Sequence, residues 1–194
     1  MSPFLVYGGW NLIAIAGSSP ETLVDPYLFV RSAPAPERIK PAHAPQRPEG
    51  AFLLLGRQVT GQGVSLPFVQ GVAEGDHRRT NRAAGPEQEF IYFAVADQFI
   101  RGGPTPVEIE VEYLDKGTDP FALDYDSTDK AAPVDGAFKS APQAVRTDTG
   151  EWRTHVFVLP DARFENREHL GSDFRVYGIG DDLAIRRIEV RRAR

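Results

Sequence analysis

The stretch that decides the fold runs from Glu151 to Val190 and reads EWRTHVFVLPDARFENREHLGSDFRVYGIGDDLAIRRIEV. Polar and apolar residues alternate in three of its segments, THVFVL, DFRVYGI and LAIRRIEV. Alternation with a period of two, bounded by Pro, Gly and Asp, is typical of half-buried strands in an antiparallel sheet. In the last segment the alternation changes phase at Arg186–Arg187, which predicts a β-bulge there. The stretch therefore predicts three strands joined by two irregular loops.

The segment DARFENRE, between the first two of these strands, predicts a compact corner where the chain crosses between sheets. Pro160 ends the first strand, and Asp161 is placed to cap the turn through its side-chain oxygen. Phe164 is the one large apolar residue of the corner, so we expect it to plug the end of the core. Asn166 and Arg167 are expected to bond loop carbonyls, because irregular backbone needs partners for its polar groups.

Two strands upstream of this stretch define the faces of the sheets. EFIYFAVADQFI is apolar on both faces, which predicts a central strand that is covered on both sides. PVEIEVEYLD alternates strictly, with Val107, Ile109, Val111 and Tyr113 on one face and three glutamates on the other. We expect its apolar face to lie on the core, with the glutamates toward solvent or toward arginines of a neighbouring strand.

Composition bounds the class of protein. A chain of 194 residues with 41% hydrophobic and 25% charged residues can bury a core of its own. The net charge of −5 argues against a general nucleic-acid binder, which would carry a basic surface. The chain has no cysteine, so neither disulfides nor thiolate metal sites are available to it.

The first thirty residues differ from the rest of the chain. They are apolar and contain no Lys or Arg, and Gly8, Gly9 and Asn11 interrupt the apolar run. This pattern does not match a secretory signal, and the run is too short to span a bilayer. One or two strands that pack on the main domain would explain it. Strand addition to a neighbouring subunit and a remnant of an upstream domain are the alternatives.

Residues 31–50, RSAPAPERIKPAHAPQRPEG, carry five prolines and almost no large apolar residue. Proline fixes φ and removes a backbone donor, so this segment is expected to run extended as an arm or linker. The sequence thus predicts three parts: an apolar segment over 1–30, a proline-rich arm over 31–50 and a β-domain over 51–194.

The β-domain carries a resemblance to a known family. The order PVEIEVEYLDKGTDPFALDYDS, TGEWRTHVFVLPDARFENRE and SDFRVYGIGDDLAIRRIEV resembles the galactose-binding-like β-sandwich, an antiparallel jelly roll. More narrowly, it is similar to carbohydrate-binding-type modules attached to bacterial polysaccharide-degrading and cell-surface proteins. The likeness covers residues 51–192 and leaves the N-terminal extension outside it. It implies an all-β, non-catalytic domain that works outside the cell or at its surface, with a polysaccharide or other glycan as partner.

Sugar binding of this kind uses an aromatic platform together with hydrogen-bonding side chains. The candidates that the sequence offers are Tyr125, Trp152, Arg175 and Tyr177. Trp152 follows the turn TDTGE, where a tryptophan can stack on a pyranose or cap the core at the start of a strand. The sequence alone does not decide between stacking on a sugar and capping the core.

Calcium is the metal to consider. Asp124, Asp126 and Asp129 supply hard oxygen ligands in DYDSTD, but the segment lacks the glycine and the distal glutamate of an EF-hand loop. Sandwiches of the family that this chain resembles often hold a structural calcium between loops. Four scattered histidines and no cysteine argue against zinc, and no other cofactor is expected.

Catalytic motifs are absent from the sequence: it has no GxSxG elbow, no phosphate-cradling loop and no HExxH. Two alternatives to a binding module remain. One is a polysaccharide lyase or hydrolase, in which Arg175 and Tyr177 could act on an acidic sugar. The other is a structural subunit of a surface layer or filament, a homo-oligomer assembled through residues 1–50.

Overall fold

The computed structural model describes residues 4–8, 11–15, 50–68 and 70–193. The chain divides into two units, residues 1–44 and 45–194. In the first unit, β1 (Phe4–Gly8) and β2 (Asn11–Ile15) form an antiparallel hairpin in which Gly8 lies opposite Asn11. The predicted strands are therefore present, whereas the surface on which they dock stays a prediction. Residues 31–49 of the predicted proline-rich arm lie outside the described residues.

The described residues of the second unit, 50–68 and 70–193, form twelve strands. In chain order they are β3 (Gly50–Leu54), β4 (Thr60–Gln62), β5 (Val64–Ser65), β6 (Val72–Glu74), β7 (His77–Arg79), β8 (Ile91–Val95), β9 (Thr105–Leu114), β10 (Phe121–Tyr125), β11 (Lys139–Ser140), β12 (Trp152–Ala162), β13 (Phe174–Gly178) and β14 (Ala184–Arg192). Three single 3-10 turns complete it, at Arg82–Ala84, Pro86–Gln88 and His169–Gly171. No helix in the described part of the chain has the length and apolar character to cross a membrane.

These strands form two antiparallel sheets. The seven-stranded sheet has the order β12-β9-β14-β3-β4, with β7 paired to β14 and β6 to β7. The five-stranded sheet has the order β11-β10-β13-β8-β5. The prediction of an all-β architecture with antiparallel sheets is confirmed, and the arrangement is consistent with a β-sandwich. The jelly-roll topology and the galactose-binding-like family stay predictions.

The core lies where aromatic rings of the two sheets meet. The Phe121 ring of β10 lies 4.6 Å from that of Tyr113 on β9 and 5.7 Å from that of Phe157 on β12, measured between centroids. Phe93 and Phe174 stack at 4.9 Å across neighbouring strands of the five-stranded sheet. All five side chains are almost fully buried, so one continuous core joins the sheets.

The strict alternation predicted for β9 is confirmed. The apolar residues predicted to face the core are buried there, and the glutamates lie on the outer face, where arginines of β14 pair with Glu110 and Glu112. Arg186, for example, contacts Glu112 at 2.5 Å, and Arg191 contacts Glu110 at 3.3 Å. The predicted bulge is also present, because the register between β14 and β9 shifts between Ile185 and Arg187. The extra residue places both Arg186 and Arg187 on the outer face, between the buried Ile185 and Ile188.

The DARFENRE corner forms as predicted in shape but not in its capping. Phe164 is 0% exposed and plugs the core, as expected. Asp161 does not cap the turn: its carboxylate accepts from the Tyr125 hydroxyl at 2.6 Å and from Lys139 at 2.8 Å. The corner is capped instead by Asp126, directly after β10, and by Asp173, directly before β13, neither of which is predicted to do so. Asp161 is next to the corner in sequence, but its carboxylate does not bond the backbone of the corner. The carboxylates that do so come from Asp126 and Asp173.

Phe164→Ala is expected to lower the free energy of unfolding by about 3–5 kcal/mol, because it leaves a cavity under a fully buried corner. Val145→Ala is the matched control, since Val145 is 71% exposed, and it should change the free energy by less than about 0.5 kcal/mol. Urea denaturation of the two variants checks this. Equal effects would show that the corner does not anchor the core.

Candidate functional site

The outer face of the five-stranded sheet carries an ion pair at its centre. Asp124 on β10 and Tyr92 on β8 both lie opposite Arg175 on β13, so the three residues form one row across the sheet. Arg175 donates to Asp124 Oδ2 through Nε at 2.9 Å and Nη2 at 2.7 Å, and to the Tyr92 hydroxyl through Nη1 at 3.2 Å. Ser140 donates to the other oxygen of Asp124 at 2.6 Å. These contacts fix both charged groups.

Aromatic rings surround the guanidinium. Its central carbon lies 4.2 Å from the ring centroid of Phe90 and 4.7 Å from that of Phe138. The rings of Tyr177 and Tyr92 lie at 5.6 and 5.9 Å. Such distances favour cation–π attraction. We call the rings of Phe90, Tyr92, Phe138, His169 and Tyr177 the aromatic cluster.

Burial and hydrogen bonding together set the protonation of Arg175 and of the two tyrosines beside it. Burial works against the charge of Arg175, but its hydrogen bonds to Tyr92 and Asp124 outweigh that effect and raise its pKa. Burial also raises the pKa of Tyr92 and of Tyr177, so both hydroxyls keep their protons at neutral pH. The site therefore holds a permanent cation, its carboxylate partner and two phenolic O–H groups.

Glu168 lies beside this site without a hydrogen-bond partner. Both of its carboxylate oxygens are buried, and neither contacts a donor among the described residues. Burial raises the pKa of Glu168 well above its usual range; nearby Arg175 lowers it, and Asp124 raises it further. A buried carboxyl without donors is stable only when protonated. Glu168, directly before His169 of the aromatic cluster, therefore keeps its proton to a higher pH than a free glutamate does.

The structure brings two of the four predicted sugar-binding residues together, Arg175 and Tyr177. Tyr125 lies on the opposite face of the same sheet and is 1% exposed, so its ring belongs to the core. Trp152 begins β12 in the seven-stranded sheet, where its ring lies 5.3 Å from that of His77 and 4.5 Å from the guanidinium of Arg186. Neither residue shares a surface with the aromatic cluster.

Four members of the aromatic cluster are not among the residues predicted from the sequence. Tyr92 carried a usable signal, because in EFIYF it has the opposite parity to the buried Ile91 and Phe93. Phe90 precedes that strand, and Phe138 and His169 lie in irregular segments, where no periodicity assigns a face. Only the folded chain brings these rings together.

The three aspartates proposed for calcium have other partners. Asp124 pairs with Arg175, Asp126 accepts from Arg167 at 2.6 Å, and Asp129 accepts from Lys139 at 3.1 Å. Within the described residues, no group of three or more His, Asp or Glu side chains is arranged to hold a metal ion. A calcium site that also draws on backbone carbonyls stays a prediction.

A cleft of about 540 Å³ opens at the end of the seven-stranded sheet. Arg79 crosses it, bonded to Glu74 at 2.9 Å and to Asp182 at 2.8 Å. The described residues that line this cleft include no Phe, Tyr or Trp, and its arginine is neutralised by two carboxylates. We therefore favour the aromatic cluster as the candidate functional site.

Comparison of the chain with protein-family models, with curated proteins and with solved structures found no match to any of them. The resemblance to galactose-binding-like modules therefore rests on the sequence segments quoted above.

Glu168→Gln is expected to change how stability depends on pH. The pKa of Glu168 is higher in the folded chain than in the unfolded chain, so its contribution is complete below the unfolded value and is lost as pH rises. Glutamine imitates the protonated acid at every pH. The variant should therefore gain stability over the parent between about pH 5 and about pH 8.

Urea denaturation at the two pH values measures this difference. Asp173, whose pKa burial raises to about 6, adds a pH dependence that the parent and the variant share. Glu87→Gln, at an exposed glutamate, is the control and should follow the parent curve. Parallel curves for the parent and Glu168→Gln would contradict a buried, uncharged Glu168.

Proposed function

We propose that this chain is a non-catalytic carbohydrate-binding module, of the galactose-binding-like type, that works outside the cell or at its surface. The glycan binds at the aromatic cluster. The observation that carries the proposal is the Arg175 guanidinium, which Asp124 and Tyr92 hold in place among aromatic rings on the outer face of a sheet.

Sugar chemistry matches these groups. The C–H faces of a pyranose pack on aromatic rings, and its hydroxyl groups bond to charged and polar side chains. A guanidinium has five N–H donors, of which Arg175 uses one on each nitrogen. The terminal nitrogens Nη1 and Nη2 each keep one donor for a ligand hydroxyl. The Tyr177 hydroxyl donates to Asp124 Oδ1 at 3.5 Å, and its ring supplies an aromatic face.

The site is ordered before any ligand arrives. The side chain of Arg175 is only 18% exposed and that of Asp124 only 4%, so neither is free to change rotamer at low cost. Binding to fixed groups loses less conformational entropy than binding to mobile ones. Preorganisation of this kind supports a recognition role at this surface.

Charge favours a neutral glycan. Asp124 already neutralises Arg175, so the pair carries no net charge for an acidic sugar. A uronic acid would need an unpaired cation, which this cluster lacks. The lyase or hydrolase alternative calls for a different outcome in the same assay, namely release of reducing or unsaturated sugar products.

Tyr177→Ala and Phe90→Ala are each expected to weaken binding of a neutral oligosaccharide at least tenfold, about 1.4 kcal/mol, because each removes a stacking face beside Arg175. Trp152→Ala is the matched control: it removes an aromatic ring from the other sheet and should leave affinity unchanged. A glycan array selects the ligand, and calorimetric titration measures each affinity.

Thermal unfolding of the three variants verifies that each is folded at the temperature of the titration. Loss of binding in Trp152→Ala with retention in Tyr177→Ala would move the site to the seven-stranded sheet. Binding that survives both substitutions at the cluster would overturn the proposal.

A further inference from the structure

A short surface loop, Glu168–Ser172, covers one side of the aromatic cluster. A backbone hydrogen bond from Glu168 N–H to Ser172 C=O, at 3.0 Å, closes its base, and a single 3-10 turn forms its tip. The loop reaches the cluster through the His169 ring, whose centroid lies 5.6 Å from that of Tyr92. We call residues 168–172 the strap.

The strap lies between two residues that are firmly bonded to the rest of the domain. On one side, Arg167 donates to Asp126 Oδ1 at 2.9 and 2.6 Å and to the Ser127 carbonyl at 2.7 Å. On the other side, the Asp173 N–H donates to the Phe93 carbonyl at 2.8 Å. Both ends of the strap are therefore fixed independently of the position of the strap itself.

The strap has little to hold it closed. Leu170 is 69% exposed and has a φ of +56°, a strained backbone conformation that its side chain does not offset by burial. Glu168 is buried, at 5% exposure, yet neither of its carboxylate oxygens has a hydrogen-bond partner among the described residues. A segment with exposed side chains and few bonds is where a fold opens locally.

The surroundings of Glu168 oppose its negative charge. The ionisable groups that lie around it, on the strands and loops against the strap and on the strap itself, are Arg175, Asp124, Asp126, Asp173, Tyr92, Tyr177 and His169. Of the groups that act on Glu168, only Arg175 favours ionisation, and its Nε and Nη2 already bond to Asp124. The three aspartates oppose ionisation. The closed strap therefore favours the protonated acid.

We propose that the strap is a pH-dependent lid, which stays closed while Glu168 carries its proton and opens when the carboxyl ionises. Ionisation opens it because water then supplies the hydrogen bonds that the carboxylate lacks inside the fold. Opening withdraws the His169 ring from Tyr92, which is only 7% exposed while the strap is closed. This device goes beyond glycan binding and does not depend on what the aromatic cluster binds.

The direction of the pH effect follows from linkage between protonation and opening. Burial raises the pKa of Glu168 in the closed strap well above its usual range, whereas the open strap leaves the carboxyl in water at its ordinary pKa. The closed strap is fully stabilised below the lower of these two values. Between them the open form holds fewer protons, so the ratio of open to closed strap rises about tenfold per pH unit.

Amide hydrogen exchange of the intact chain, followed residue by residue by NMR, measures this opening. The reporters are the amides of Glu168, Gly171 and Ser172, which are hydrogen-bonded within the strap. Their protection relative to an unstructured peptide of the same sequence should fall by about tenfold per pH unit above the ordinary pKa of glutamate. The Asp173 amide, bonded outside the strap, is the reference and should stay more strongly protected throughout.

Glu168→Gln keeps the shape of the protonated acid and removes its charge, so strap protection in this variant should not change with pH. Glu87→Gln, at an exposed glutamate, is the matched control and should behave like the parent. The slope in the parent decides the question by itself if Glu168→Gln does not fold. Loss of glycan binding in another variant leaves all of these rates unaffected.

Three results would overturn the proposal. Strap amides that are as strongly protected as Asp173 would show that the strap opens only when the whole domain unfolds. Protection in the parent that stays constant as pH rises would show that ionisation of Glu168 does not open the strap. A fall that persists in Glu168→Gln would assign the effect to another group, such as Asp173, whose pKa burial raises to about 6.

Discussion

Two buried carboxylates hold the corner on which the candidate site depends. Asp173 accepts from the backbone N–H of Val95 and of Asn166, both at 2.8 Å, and so ties the corner to β8. Asp126 accepts from the Glu165 N–H at 2.8 Å and from the Arg167 guanidinium, which ties it to the end of β10. Irregular backbone inside a fold needs such partners, since water does not reach it.

The DARFENRE corner in turn determines where the residues that follow it lie. It directs Glu168 into the interior and presents His169 at the surface, where the His169 ring meets those of Tyr92 and Phe138 at 5.6 and 5.2 Å. Removing one partner from a buried ionic network leaves a charge without compensation, which costs several kcal/mol, about 3–5 for a buried pair. The aspartates, Arg167 and Arg175 therefore stabilise the scaffold and the site together.

The sequence was informative wherever alternation was regular. The parity of FALDYDS already places Tyr125 on the face of Phe121 and Leu123, and the buried ring follows from that pattern. The parity of DFRVYGI places Arg175 and Tyr177 on the same outer face. In both strands, period-two alternation is a local property that survives folding.

Contacts between segments that are far apart in the chain could not be predicted from the sequence. No pattern indicates that Trp152 and Tyr177 lie in different sheets, because strand pairing joins segments far apart in the chain. Phe138 and His169 lie in irregular segments, and Asp161 was assigned as a cap only because it is close in sequence. Each of these depends on which strands become neighbours.

Chemical-shift mapping of the intact, isotope-labelled chain during titration with a neutral oligosaccharide tests the central claim most directly. The account predicts that the largest amide and side-chain shifts occur at Tyr92, Arg175 and Tyr177 on the outer face of the five-stranded sheet. Shifts concentrated at Trp152 and His77, or no shifts with any glycan on an array, would contradict it.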